Sequence, residues 1–274
     1  MRLSKHSQIK KKSAASLRKM KDQSEKITMI TCYDGAFASL MNQTDIDAVL
    51  VGDSMGNVVL GFDDTIPVTM DMMVHHTAAV SRILQGPLLI ADMPFMSYNI
   101  SVEQALENAS RLVQEGGAQA VKLEGGEEIL PQVKAITNAG IPVVGHLGLT
   151  PQKIHALGGY RVQGRGDEGV RLSEDAKLLE EAGCFALVLE LVPDELAKSV
   201  TASLQIPTIG IGAGAGTSGQ VLVLHDLLGF NDDFKPKFLK TYANLGQIIR
   251  NALQEYVSDV KGGSFPAEEH TFKK

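Results

Sequence analysis

The sequence predicts one α/β domain, a single (β/α)8 barrel, from the rhythm of its apolar segments. Eight short runs rich in Val, Ile and Leu recur along the 274 residues, and helical patterns separate most of them. Most runs lack strict alternation of apolar and polar residues, which is typical of parallel strands covered on both faces. An open doubly wound sheet is the alternative, but the strand count favours closure. The predicted strands are residues 27–34, 48–54, 87–94, 120–126, 141–148, 185–192, 207–214 and 221–229.

The helices between these strands are predicted from apolar residues that repeat at the period of an α-helix. One such stripe runs from Val102 to Val113, and two glycines follow it as a stop signal. Ser101 and Gln104 fit a capping box, while Ser173 and Asp194 are the predicted N-caps of two later helices. The chain after the eighth strand is long enough for a pair of helices.

The domain prediction divides the chain into residues 1–26, a basic N-terminal extension with a helix, and residues 27–274, the barrel with its C-terminal helices. In the first segment Leu17 and Met20 are expected to pack inward from an otherwise solvated helix. An organelle-targeting peptide and a nucleic-acid-binding arm are the alternative interpretations of this basic segment.

Composition excludes several classes of function. Apolar residues make up 44 % of the chain and charged residues 21 %, so a sizeable core is expected. The net charge of −6 gives no reason to expect nucleic acid as a partner. No apolar run approaches the ~20 residues needed to span a bilayer, and no signal peptide is visible. Cys32 and Cys184 form no metal or disulfide motif, which favours reduced thiols and a cytoplasmic location.

Polar side chains end nearly every predicted strand, and this pattern is the main functional signal. In a parallel barrel the carboxyl ends of all strands meet at one rim, where the active sites of such enzymes lie. Burying several carboxylates is costly unless they are paired or bind a cation. We therefore expect a catalytic rim. The residues at these ends are Asp53, Ser54, Asp92, Lys122, Glu124, His146, Glu190, residues 212–214, His225 and Asp226.

The residue types at this rim predict a magnesium site. Asp53, Asp92 and Glu124 are oxygen donors, which suit Mg²⁺. Lys122 lies two residues before Glu124 on the same face of its strand, where it can hold a substrate carboxylate. Glu190 follows an apolar strand and is the candidate general base. The alternative role of the lysine and of Glu190 is a structural ion pair.

Three further features have weaker interpretations. His146 is predicted either to contact substrate or move a proton, or to be a buried structural histidine. Residues 214–219 match the dinucleotide motif G-x-G-x-x-G, but a strand follows almost at once, so NAD is not expected. The glycine-rich segment 149–169 is predicted to form a mobile cover over the rim.

Several long motifs together resemble one known enzyme family. From about Ile27 to the C-terminal FPAEEHTF, nearly the whole chain is similar to ketopantoate hydroxymethyltransferase, and only the first dozen or so residues fall outside the resemblance. The motifs that carry it are VGDSMGNVVLGFDDTIPVT, LIADMPFMSY, AVKLEGGEE, VVGHLGLTPQ, GGYRVQGRGDE, LVLELVP and IGIGAGAGTSGQVLVLHDLLG.

This resemblance implies a barrel of the phosphoenolpyruvate/pyruvate type, one Mg²⁺ per subunit and a homodecamer built as a pentamer of dimers. It implies transfer of a hydroxymethyl group from 5,10-methylenetetrahydrofolate to 3-methyl-2-oxobutanoate, which gives ketopantoate (2-dehydropantoate) in pantothenate biosynthesis. It assigns Asp53, Asp92 and Glu124 to the metal. It assigns Ser54 and Lys122, together with both aspartates, to the substrate, and the role of proton acceptor to Glu190.

Two other functions remain as alternatives at this point. A related Mg²⁺ barrel that cleaves a C–C bond would use a cysteine in a lysine-rich KKCGH-type loop, and neither Cys32 nor Cys184 has that context. A barrel kept only as a scaffold or binding protein predicts loss of some rim acids, and all of them are present.

Overall fold

The computed structural model describes residues 11–232 and 234–273 and contains a closed barrel of eight parallel strands. Each strand pairs with its neighbour in sequence, and β1 pairs with β8, so the sheet is closed and the (β/α)8 prediction is confirmed. The strands are β1 Ile27–Thr31, β2 Ala48–Val51, β3 Leu88–Asp92, β4 Ala120–Glu124, β5 Val143–Gly148, β6 Ala186–Glu190, β7 Thr208–Ile211 and β8 Gly219–Leu222.

Helices separate most of the strands. Short 3₁₀ turns also occur, at Glu127–Ile129, Pro151–Lys153 and Glu268–His270. Among the described residues, none of the helices combines the length and the apolarity that crossing a bilayer requires. The α-helices are α1 Ala14–Asp22, α2 Gly35–Met41, α3 Met55–Val58, α4 Met70–Ser81, α5 Val102–Gln114, α6 Leu130–Asn138, α7 Ile154–Leu157, α8 Asp167–Glu181, α9 Asp194–Ser203, α10 Leu224–Leu227 and α11 Leu245–Gly262.

The predicted helix starts are correct for one helix and wrong for two. Ser101 is the N-cap of α5, and its hydroxyl accepts from the backbone N–H of Gln104 at 3.1 Å. Ser173 lies inside α8, which begins after Gly166, and its hydroxyl bonds the carbonyl four residues earlier. Asp194 is the first residue of α9 rather than its N-cap. Both errors arise because a short polar side chain also fits the first turns of a helix.

The eighth strand begins and ends earlier than predicted. β8 starts at Gly219, where a Cβ atom would overlap the carbonyl oxygen of Ile27 on β1. Residues 224–227 form α10, so His225 and Asp226 lie on a helix and do not end a strand. The run 221–229 is continuously apolar apart from these two residues, and such a run does not distinguish a strand from a short buried helix.

The chain divides after Val223 into two compact units. The chain after residue 229 was expected to be long enough for a pair of helices, and its described residues contain one α-helix, the 18-residue α11, because α10 lies within the predicted eighth strand. Within this second unit, the N–H groups of Tyr242 and Leu245 donate to the carbonyls of Leu227 and Leu228. The division at residue 26 stays a prediction.

Helix α1 belongs to the barrel unit. Leu17 and Met20 are buried, as expected, and join the apolar cluster formed by the strand residues. The ammonium group of Lys21 donates to the carbonyls of Thr201, Leu204 and Ile206 at 2.7–2.9 Å. These carbonyls end α9 and precede β7, so α1 is tied to distant parts of the barrel unit. Residues 1–10 of the basic segment lie outside the described residues.

Candidate active site

The register of the barrel brings ionisable side chains of neighbouring strands together at its carboxyl end. Asp92, the last residue of β3, is paired with Lys122 on β4. Glu124, the last residue of β4, is paired with His146 on β5. Glu190 is the last residue of β6. The structure therefore places these five predicted site residues on four consecutive strands of one rim.

Asp53 and Ser54 reach this rim from the loop after β2. The backbone N–H of Asp53 donates to Oδ2 of Asp92 at 3.1 Å, which ties the loop to β3. Gly52 makes this approach possible, because a Cβ atom there would lie 2.8 Å from Oγ of Ser54 and 3.4 Å from Oδ2 of Asp92. The Ser54 hydroxyl is in turn 2.9 Å from the hydroxyl of Tyr33, a buried residue that follows β1.

Lys122 is a buried cation among carboxylates. Its Nζ lies 3.0 Å from Oδ1 of Asp92 and 3.7 Å from Oε1 of Glu124. The contact with Asp92 is an ion pair whose alignment falls short of a hydrogen bond. Burial lowers the pKa of Lys122, but the attraction of Asp92, Glu124 and Asp53 outweighs it and raises the pKa above its ordinary value. The lysine is therefore charged at neutral pH.

His146 connects the two glutamates of the site. Its Nδ1 lies 3.2 Å from Oε1 of Glu124, and its Nε2 lies 3.4 Å from Oε2 of Glu190. Burial and the nearby Lys122 oppose protonation of the ring, but the two carboxylates outweigh them and raise the pKa of His146 to about 9. Burial opposes ionisation of Glu124, but His146 and Lys122 lower the pKa of that carboxyl below its ordinary value.

Gln152 and Tyr98 complete the buried network, and sequence reasoning missed both. Gln152 lies in the 3₁₀ turn after β5, and its Nε2 donates to Oδ2 of Asp53 at 2.8 Å. The Tyr98 hydroxyl lies 2.7 Å from Oε1 of Gln152 and accepts from the backbone N–H of Glu124. Gln152 lies in the motif LGLTPQ, but its burial is visible only in the folded structure. Nothing in the sequence indicates the contact between Tyr33 and Ser54 either.

The rim segment predicted as a cover has two parts. Its first part is anchored, since Thr150, Gln152 and Ile154 are buried. Further on, Tyr160 is 62 % exposed, and Gly158 and Gly159 take positive φ angles. Desolvation of its hydroxyl, followed by the charges of Glu190 and Asp64 and then those of Asp53 and Glu124, raises the pKa of Tyr160 above its ordinary value. That motion of this second part covers the site stays a prediction.

The donor set fits a divalent cation by charge. Desolvation first, then the repulsion of Asp92 and Glu124, raises the pKa of Asp53 well above its usual range. Burial likewise raises the pKa of Asp92 despite its pairing with Lys122. Four carboxylates, those of Asp53, Asp92, Glu124 and Glu190, thus face two cations, Lys122 and the protonated His146. This excess of negative charge favours binding of a cation. In the described part of the chain, no group of three or more His, Cys, Asp or Glu side chains is arranged so that it could hold a metal ion. The Lys122 ammonium lies between Asp92 and Glu124, at 3.0 and 3.7 Å from their oxygens.

Several solved enzyme structures have a fold similar to that of this chain. A crystal structure of phosphonopyruvate hydrolase in complex with oxalate and Mg²⁺ matches with a TM-score of 0.61 and 15 % identity, covering 94 % of this chain and 93 % of that one. 2,3-Dimethylmalate lyase, a PEP mutase/isocitrate lyase superfamily member, matches with a TM-score of 0.59 and 16 % identity, covering 95 % of this chain and 89 % of that one. At these identities the likeness shows the fold alone.

The sequence relatives are much closer and cover the chain almost completely. A protein of Syntrophus aciditrophicus (strain SB) named 3-methyl-2-oxobutanoate hydroxymethyltransferase is 55 % identical, over 98 % of this chain and 100 % of its own length. One of the same name from Moorella thermoacetica is 57 % identical, over 94 % of this chain and 96 % of its own. The model of the family described as ketopantoate hydroxymethyltransferase matches residues 11–268. The chain whose barrel rim carries this network of acids is therefore a transferase of the ketopantoate hydroxymethyltransferase family.

Proposed function

We propose that this enzyme transfers a hydroxymethyl group from 5,10-methylenetetrahydrofolate to 3-methyl-2-oxobutanoate, with Mg²⁺ as its cofactor and ketopantoate as its product. The observation that carries the proposal is the position of Glu190 relative to the buried acids. Its carboxylate keeps 16 % of its side-chain surface exposed, while Asp92, Lys122 and Glu124 across the rim are almost completely buried. The rim thus separates a solvent-accessible base from a buried, negatively charged binding site.

Asp53, Asp92 and Glu124 are the residues that would hold Mg²⁺. Carboxylate oxygens are the ligands this hard cation prefers, and the three acids together carry more negative charge than Lys122 and the protonated His146 balance. When bound, Mg²⁺ supplies Lewis-acid stabilisation of the negative charge that develops on the keto oxygen of the substrate.

Lys122 and Ser54 are the residues that bind the substrate in this proposal. Nζ of the charged Lys122 lies 3.0 Å from an Asp92 oxygen, and an ammonium group has three N–H donors. Lys122 can therefore also donate to the carboxylate of the keto acid. Ser54 presents a hydroxyl whose position is fixed by Tyr33. These contacts orient the α-keto acid, with its C3 carbon directed toward Glu190.

Glu190 is the proposed general base. It removes the proton from C3, and the electron pair left on that carbon forms the new C–C bond to the methylene group of the folate. One water molecule is consumed, because it supplies the hydroxyl of the product. Water adds to the methylene group as its first C–N bond breaks, and the second C–N bond breaks as the methylene carbon bonds to C3. The two folate nitrogens take up the proton from C3 and one proton from the water as tetrahydrofolate leaves. His146 lies 3.4 Å from the Glu190 carboxylate, so it can restrain the orientation of the base.

The test is exchange of the C3 hydrogen in D₂O, which needs no folate. The enzyme is incubated with Mg²⁺ and 3-methyl-2-oxobutanoate, and loss of the C3 proton signal is followed by NMR. We expect exchange by the wild type and a loss of about 10²-fold or more in Glu190→Gln. Glu174→Gln, an exposed glutamate on α8, is the matched control and is expected to exchange at the wild-type rate.

The outcome that contradicts the proposal is an absence of exchange by the wild type in the presence of Mg²⁺. Cleavage of methylisocitrate by the same preparation would assign the site to a lyase instead. Exchange that persists in Glu190→Gln would leave the transferase reaction in place but remove Glu190 from its role as base.

The homodecamer implied by the sequence resemblance is part of this proposal. Light scattering of the full chain after size-exclusion chromatography is expected to give ten times the 29.4 kDa of one chain. A mass of one or two chains at micromolar concentration would contradict it. The cytoplasmic location stays a prediction.

A further inference from the structure

Gln152 is a buried amide with an unusually complete set of partners. The residue is 4 % exposed and lies in the turn Pro151–Lys153 that follows β5. Its Nε2 donates to Oδ2 of Asp53 at 2.8 Å and to the carbonyl of Met93 at 2.9 Å. Its backbone N–H donates to Oε2 of Glu124 at 3.1 Å. One residue therefore holds two of the site carboxylates, which come from β4 and from the loop after β2.

The orientation of the amide is fixed from its other side by Tyr98. The phenol lies 2.7 Å from Oε1 of Gln152 and 3.0 Å from the carbonyl of Glu124, and it accepts from the N–H of Glu124 at 3.2 Å. A hydroxyl at this position makes the carbonyl end of the amide face Tyr98. The amino end consequently faces Asp53.

The chemistry of an amide suits this position better than that of a charged side chain. A lysine here would neutralise Asp53 and repel a metal ion, while a carboxylate would repel both Asp53 and Glu124. An amide restrains the carboxylates without changing the charge of the site. In the described part of the chain, Gln152 is the one side chain that hydrogen-bonds the Asp53 carboxylate.

We propose that Gln152 is a positioning residue for the metal ion, which holds Asp53 and Glu124 in the orientation that binds the cation. This inference rests on the proposed function, because it takes these acids as metal ligands. Partners of this kind, which contact ligands and not the metal, typically contribute 10- to 100-fold to metal affinity.

The test measures binding of Mn²⁺ as a paramagnetic substitute for Mg²⁺, from the EPR signal of the free ion. Gln152→Met keeps the length of the side chain and removes its polar atoms. We expect its dissociation constant for Mn²⁺ to rise about tenfold. Gln114→Met, at an exposed position on α5, is the matched control and is expected to bind Mn²⁺ like the wild type.

A second variant tests the contribution of Gln152 to metal affinity if Gln152→Met does not fold. Tyr98→Phe leaves Gln152 in place but removes the hydroxyl that orients its amide, and we expect about fivefold weaker Mn²⁺ binding. A purely structural role for Gln152 would lower the midpoint of thermal unfolding in either variant and leave the Mn²⁺ dissociation constant unchanged.

The outcomes separate this inference from the proposed function. Failure of the wild type to bind Mn²⁺ would contradict the proposed metal site itself. Binding by the wild type, with loss in Asp53→Asn but unchanged affinity in folded Gln152→Met, would overturn only the positioning role of Gln152.

Discussion

The imidazole of His146 bridges Glu190 and the buried rim acids, with Nε2 of the ring 3.4 Å from Oε2 of Glu190. On its other side, Nδ1 lies 3.2 Å from Oε1 of Glu124. Nδ1 also lies 3.2 Å from Nζ of Lys122, but the two carboxylates outweigh burial and this ammonium group and favour the protonated ring. The proposed base is thereby linked to the proposed metal ligands through one side chain.

His146 is expected to make the stability of the metal-free protein depend on pH. Burial and Lys122 oppose protonation, but Glu124 and Glu190 raise the pKa to about 9, above the usual 6.5. The stabilisation is therefore complete below pH 6.5 and is lost as the pH rises through about 9. The shift corresponds to about 3 kcal/mol.

The measurement is urea unfolding with EDTA at pH 6 and at pH 10. Between these values the wild type is expected to lose more free energy of unfolding than His146→Gln. His75→Gln, an exposed histidine on α4, serves as control and is expected to follow the wild type. Equal pH dependence of wild type and His146→Gln would show that the ring is not held in its charged form.

Asp53→Asn is expected to stabilise the metal-free protein while it abolishes metal binding. Desolvation, then repulsion by Asp92 and Glu124, raises the pKa of Asp53 in the folded protein. The free energy of unfolding therefore falls as the pH rises above about 4, where this carboxyl ionises in the unfolded chain, toward its higher pKa in the folded protein. Removing this charge is expected to raise the free energy of unfolding at pH 7.5 by about 1–2 kcal/mol. Asparagine still accepts the hydrogen bond from Gln152 through its own carbonyl oxygen.

Calorimetry in EDTA measures the stability of this variant, and Mn²⁺ titration measures its metal binding. Asp45→Asn, at an exposed position, is the control for both. A lower unfolding temperature for Asp53→Asn than for the wild type would mean that the charge of the Asp53 carboxylate is already compensated within the wild-type protein.

Gly148→Ala is expected to displace Glu190. A Cβ atom at Gly148 would overlap the carbonyl oxygen of Glu190, and the residue has a φ of +93°. Gly140, with a φ of +89° and open space around it, is a matched control that tests backbone strain alone. We expect Gly148→Ala to cost about 1–3 kcal/mol more than Gly140→Ala.

Urea unfolding and C3 exchange together check this prediction. Gly140→Ala is expected to keep its exchange activity, whereas Gly148→Ala is expected to lose most of it. Full exchange activity in a folded Gly148→Ala would show that the neighbouring strand adjusts without moving the base.

Both cysteines are expected to be inert in the folded protein. Burial raises the pKa of Cys32 to about 11 and that of Cys184 to about 12. Since the thiolate is the reactive form, reaction with an aromatic disulfide reagent at pH 8 is expected to be at least about 100-fold slower than in guanidinium chloride. Rapid modification of either thiol under native conditions would contradict this.

Much of the fold followed from the sequence, because buried parallel strands leave a simple pattern. Predicted runs such as 48–54 and 120–126 contain strands β2 and β4, although the structure ends each strand two or three residues earlier. Convergence of Asp53, Asp92 and Glu124 was predictable as well, since closure of the barrel brings all carboxyl ends to one rim.

The remaining features depend on contacts that no local pattern encodes. Gln152 meets Asp53 across 99 positions of sequence, and only the folded loop after β5 brings them together. Tyr33 reaches Ser54 from another strand end in the same way. His225 was misplaced for a different reason, because a run of Leu and Val is compatible with both a strand and a short helix.

The pairing of Asp92 with Lys122, and of Glu124 with His146, makes charges of opposite sign alternate along the rim. This alternation limits which substitutions the rim can accept. Replacing one charged side chain leaves its neighbours without a counter-charge in the buried rim, where solvent screens charges poorly. The effects of two such replacements on stability and activity are therefore not additive. Natural variants of this rim are therefore expected to change in compensating pairs, and directed evolution of a new substrate preference is expected to proceed more readily through the surrounding loops.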